Sequence, residues 1–168
     1  MLKIFSKIKE FFIKKNSNSL EMAGNLFAKK ITNGGVVIDL GLIANKMVTN
    51  AGAAYLVDAF QSTGAIMSNF YWHDCGTSTG AEAVGDTDLG SAIGETRSSG
   101  TQEETSAMVY KTIATHTFAS TGAAITEHGI FSSSSSGILW DRSLFAAINV
   151  SSGDSIQFTY ELTVTPGG

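Results

Sequence analysis

Three adjacent residues, His73-Asp74-Cys75, set a base, an acid and a nucleophile side by side. Cysteine-dependent acyl transfer needs the imidazole within hydrogen-bond reach of the thiol, and a third group to orient that imidazole. Residues 69–75 read as a strand, and neighbouring side chains on a strand point to opposite faces. The three cannot form a relay among themselves. His116 or His128 would have to supply a partner, and no spacing brings either one near. The trio therefore reads as a strand end running into a loop, with no catalytic residue assigned and no enzyme activity expected.

Metal chemistry is the second possibility. His73, Cys75, His116, His128 and Glu127 are zinc-ligand types, but no pair has the spacing of a finger or of a helical His pair. Asp86 and Asp88, with Glu82 nearby, are the calcium candidates. They sit in a polar loop without the remaining ligands of a calcium-binding loop. Neither metal nor cofactor is expected. Gly94 and Gly100 lack the Gly-Lys-Ser/Thr and the strand-to-helix setting of a phosphate loop. Arg97 and Arg142 are the only arginines, and in an acidic body each is expected to pair with a carboxylate, or else to contact a subunit interface. Tyr71, Trp72 and Trp140 could form an aromatic platform for a glycan, against the plainer reading of core aromatics.

These residues must be positioned by a mainly β chain. Charged residues make up only 15% of its 168 positions, Gly, Ser, Thr and Ala abound, and there is one proline. Such a composition, with short β-branched and aromatic runs, points to many strands and turns. Residues 36–40, 69–75, 105–118, 124–131 and 138–148 read as strands. In the last segment Ile156, Phe158, Tyr160, Leu162 and Val164 alternate with polar residues, the pattern of a half-buried strand. Thr49 or Asn50 can cap one short helix, 51–60, expected to bury Ala53, Leu56, Val57 and Phe60. Residues 20–30 suggest another short helix, weakened by Gly24, and residues 76–100 form a long polar loop. Short turns between successive strands imply antiparallel pairing in a β-sandwich or jelly-roll-like body. Cys75, the sole cysteine, leaves no intrachain disulfide to form.

Charge divides the chain. Residues 1–30 hold seven lysines against Glu10 and Glu21, a net +5, whereas residues 31–168 carry thirteen acids against Lys46, Arg97, Lys111 and Arg142, a net −9. Residues 1–15 have helical periodicity: Phe5, Ile8, Phe11 and Phe12 fall on an apolar face, and Lys3, Lys7 and Lys14 on the other. The lysines interrupt any continuous apolar run, which argues against a signal peptide. The expected organisation is a basic amphipathic arm and linker over 1–47 and a β-sandwich body over 48–168. The arm serves as a partner-binding anchor; packing on its own body and contact with a membrane surface are the alternatives. The acidic body argues against specific nucleic-acid binding.

Several short motifs recur in a family order: Val48-Thr49-Asn50-Ala51-Gly52, His73-Asp74-Cys75-Gly76-Thr77, Asp86-Thr87-Asp88-Leu89, residues 124–131, Leu139-Trp140-Asp141-Arg142 and residues 148–158. Over about 48–165 the chain resembles small structural proteins of tailed-bacteriophage virions, the decoration and tail-fibre-like β-sandwich proteins. The resemblance implies a β-rich, non-enzymatic virion module, made in the host cytoplasm. It would assemble with other virion proteins in a capsid lattice or tail, and with copies of itself, as a trimer or another cyclic homo-oligomer. A capsid decoration (cement) or minor head protein is the first expectation. A tail-fibre or tail-tip subunit, or a carbohydrate-binding receptor module, is the alternative.

Overall fold

The computed structural model describes residues 20–61, 64–119 and 122–166. The helix expected over 1–15, with Lys3, Phe5, Lys7, Ile8, Phe11, Phe12 and Lys14, lies outside the described residues.

Among the described residues, nine antiparallel strands form one curled sheet: β1 (Leu20–Ile31), β2 (Val37–Val48), β3 (Trp72–Gly76), β4 (Ser98–Ser99), β5 (Glu103–Ser106), β6 (Val109–Thr117), β7 (Ala123–Phe131), β8 (Leu139–Val150) and β9 (Ser155–Pro166). Their order is β4-β3-β7-β8-β2-β1-β9-β6-β5. The curl sets β3, β7 and β8 facing β6, β9 and β1 across a core that includes Leu26, Ile125, Ile130, Trp140, Ile156 and Phe158. Strand β9 has the alternation expected of it, with Ile156, Phe158 and Tyr160 buried and Leu162 only partly so.

The segment 20–30 is a strand, not a helix. β1 pairs along its length with β9, from Leu20↔Pro166 to Ile31↔Ser155, and with β2 on its other side. Ladder bonds on both edges outweigh the local helical preference of Leu, Ala and Lys. Gly24, which counted against a helix, suits the strand: a Cβ there would stand 3.0 Å from Lys46 Cβ and from the Tyr160 ring. Because β1 and β2 lie in the middle of the sheet, the body extends back to Leu20, not to residue 48. The single strand expected over 105–118 is a hairpin, β5 and β6, which reverses at Ala107 and Met108.

Helix α1 (Asn50–Phe60) stands where expected, and the Thr49 hydroxyl accepts from Gly52 N at 3.0 Å as its N-cap. It packs differently from expectation. Gly52 is its only buried residue, pressed so closely on β8 that a Cβ would meet Trp140 O at 2.6 Å. Tyr55 and Leu56 are partly buried, whereas Ala53, Val57 and Phe60 face solvent, Phe60 at 83% exposure. A close backbone approach at one glycine replaces the broad apolar stripe. Residues 77–97 contain no strand.

Candidate functional site

β3 buries all of His73, Asp74 and Cys75 and sends them three ways. His73 Nδ1 lies 3.0 Å from His128 Nε2 on β7, and His73 Nε2 lies 3.0 Å from Thr112 Oγ1 on β6. Asp74 accepts from its neighbour Cys75 N at 2.9 Å and from Arg97 Nε at 3.2 Å. The thiol is enclosed in the core. Burial, and then the charges of Asp74, Glu95 and Glu127, push its pKa well up, so it stays protonated at neutral pH. Burial and the Lys46 charge press His73 down to about 3, and burial foremost holds His128 far below its usual value. Both imidazoles are therefore neutral at pH 7. No acid–base–nucleophile relay joins the three residues of the trio.

The metal candidates are dispersed in the same way. His116 bonds Ser98 Oγ at 3.0 Å and Glu95 Oε2 at 3.1 Å, remote in role from the His73–His128 pair. Asp86 accepts from Ala83 N at 3.0 Å and from Arg142 Nη1 at 2.8 Å, and Asp88 faces Arg97 Nη2 at 3.7 Å. Among the described residues, no group of three or more His, Cys, Asp and Glu side chains is gathered as a metal site.

The polar residues build a clamp on the long loop. Glu127, fully buried on β7, accepts four hydrogen bonds: from Ser91 N at 2.7 Å, Gly90 N at 2.9 Å, Ser78 N at 3.2 Å and Arg142 Nε at 2.8 Å. Burial alone would raise its pKa. The donors, led by the Ser91 and Gly90 amides, outweigh that and hold the carboxyl below its ordinary value. Arg142, on the next strand, reaches Gly80 O at 3.1 Å and Asp86 at 2.8 Å, while Glu82 accepts from Leu144 N at 2.8 Å. Gly76 admits this crossing, because a Cβ there would lie 2.3 Å from Ser91 O and 2.4 Å from Glu127 Oε1. Arg97 fixes the far end of the loop. Its guanidinium lies 3.4 Å from the centre of the Phe131 ring and donates to Ser133 O at 3.0 Å and to Ser136 O. Both arginines pair with carboxylates inside the chain, as expected of them, and anchor the loop.

Trp140 is likewise internal. Its Nε1 donates to the Tyr160 hydroxyl at 2.9 Å, and its ring lies against Phe70, so it cannot join Tyr71 and Trp72 in an exposed platform. Those two rings do stack, with centroids 5.1 Å apart.

Outside these networks lies an apolar surface. β2 pairs with β1 from Val37 to Lys46, but on its other edge only Met47 and Val48 pair with β8. The open stretch carries Val37, Ile38, Leu40 and Leu42, all exposed, with Val36 beside them. An apolar strand with an open edge is a template for pairing with another chain. The sequence expectations missed this surface, although its signal was present: six of the eight positions 36–43 are large and apolar. No protein-family model, curated protein or solved structure matches the chain.

Proposed function

We propose that this protein is a non-enzymatic structural component of a tailed-bacteriophage virion. Its curled sheet serves as a sandwich-like, jelly-roll-like body, and capsid decoration or a minor head position is the favoured role. The open, apolar edge of β2 carries the proposal. Five exposed large apolar side chains on one ribbon are costly in water, and burying each against a partner contributes on the order of 1.5–3 kcal/mol before ordering costs. The partner is a second copy of the chain, added strand to strand in a closed ring such as a trimer. The internally paired arginines and carboxylates hold a loop in place, which suits a scaffolding role for the body. The basic N-terminal segment enters through its sequence alone, as the anchor on a neighbouring virion protein.

Sedimentation of the full chain tests this reading. Wild type should form one discrete oligomer, and Ile38→Lys with Leu42→Lys should shift it to monomer with circular dichroism unchanged. A wild-type chain that stays monomeric at high concentration would refute assembly through β2.

A further inference from the structure

Lys46 and Asp141 form a fully buried pair, with Nζ 2.7 Å from Oδ1. They stand on neighbouring strands. Asp141 is in register with Val48, so Lys46 is its diagonal neighbour on the same face. Burying both members of an ion pair costs several kcal/mol per charge unless every remaining lone pair and proton is satisfied. Here they are not. Nζ has two acceptors, Asp141 Oδ1 and His128 O at 3.2 Å, while Asp141 Oδ2 is buried with no well-formed hydrogen bond, the Tyr160 hydroxyl being the other polar group that acts on the carboxyl. The site is also closed: the Tyr160 ring centre lies 5.7 Å from Nζ, and Gly24 brings β1 against Lys46.

We propose that Lys46 and Asp141 condense into an intramolecular isopeptide bond that staples β2 to β8. The Nζ lone pair of the neutral amine adds to Cγ of the protonated carboxyl. The Nζ–Cγ bond forms and the Cγ–Oδ2 bond breaks. Oδ2 departs as water, with its own proton and one from Nζ, so atoms and charge balance without oxidant, reductant or activating reagent. Burial moves both groups toward the required protonation states, since desolvation foremost lowers the Lys46 pKa and raises that of Asp141, against their mutual attraction. The hydrogen-bond inventory suits the product. One amide N–H donates to His128 O, Oδ1 remains as the carbonyl, and the orphaned Oδ2 is removed. The pair is separated by 95 positions, so the bond would close a covalent loop through the centre of the sheet. It would also lock the root of the β2 ribbon, whose outer stretch is open.

Intact mass of the purified full chain under denaturing conditions, with tandem mass spectrometry of tryptic peptides, tests the bond. Wild type should be lighter than its sequence by one water, resist trypsin after Lys46, and yield a branched peptide joining Lys46 to Asp141. Lys46→Arg and Asp141→Ala should each run at full sequence mass, a readout that does not depend on how well they fold. A wild-type chain at full mass and cut after Lys46 would leave the two as an ion pair and overturn the proposal. So would a loss of water that persists in both variants.

Discussion

Replacing Glu127 by Gln changes one oxygen and one charge without changing the shape of the side chain. The carboxylate accepts from three backbone amides and one guanidinium. A glutamine must present its NH2 group either to Gly90 N and Arg142 Nε or to Ser91 N and Ser78 N, so two acceptor contacts become donor–donor clashes. At about 1.5–3 kcal/mol per hydrogen bond to a charged group, two losses amount to roughly 3–6 kcal/mol. Arg142 keeps Asp86 at 2.8 Å, which softens the penalty of an unpaired buried cation and favours the lower part of that range. For a chain of this size, about 3–4 kcal/mol corresponds to a fall in Tm of roughly 6–16 °C. Thermal and urea unfolding would measure the loss, and hydrogen exchange at the Ser78, Gly90 and Ser91 amides would place it in the loop. The acid limb supplies a further check. Because Glu127 titrates below its ordinary value of 4.5, its contribution is complete above about pH 4.5 and disappears as pH falls through the folded value. The variant should lack that part of the acid transition. A loss under about 1 kcal/mol, with unchanged exchange at the three amides, would refute the clamp as the element that holds the loop.

Two further outcomes follow from the core. His73 is held neutral at about 3 against 6.5 unfolded, so the unfolded chain takes up a proton first as pH falls below 6.5. Urea unfolding should therefore show about 2 kcal/mol less stability at pH 5 than well above pH 6.5, with His128 adding in the same direction, and a flat profile would contradict the burial of the pair. Phe158→Ala should cost about 3–5 kcal/mol in the same assay, because the ring is 1% exposed and lies 4.5 Å from the His128 ring; an unchanged midpoint would mean the register of β9 is wrong.

What could be read from the sequence alone follows how local each element is. β7, β8 and β9 are joined by short turns, and β9 alternates cleanly, so their positions could be read to within a residue or two. Thr49 announced α1 because capping chemistry lies within three residues of itself. β1 was misread because its identity comes from its partners. Its Leu, Ala and Lys favour a helix in isolation, and pairing with β2 on one edge and with β9, more than a hundred residues away, on the other makes it a strand. The burial of α1 was misread for a similar reason. A helical stripe marks which residues are apolar, but contact at Gly52 left most of that stripe facing water.

The same distinction governs the polar residues. Glu127 and His128 drew notice only as ligand types, since a carboxylate inside a β-branched run signals that something must pair with it but not what. Its partners are mainly backbone amides of a loop some 36–49 residues earlier, and backbone amides carry no side-chain signature. Arg142 was the legible partner: one of only two arginines in an acidic body, two residues from Trp140 on a strand, it was expected to find a carboxylate. Lys46 offered less still. Nothing in its neighbours marks it as the cation that faces Asp141, because that meeting depends on β2 leaving β1 to join β8 at Met47 and Val48. A two-residue pairing at the end of a twelve-residue strand thus brings the only fully buried ion pair among the described residues together, and at the same time leaves the rest of β2 open to a neighbour. Closure at one end and exposure at the other are two consequences of one departure in strand pairing. Any substitution that extends the β2–β8 ladder outward should therefore cover Ile38 and Leu42 and weaken self-association, without disturbing Lys46.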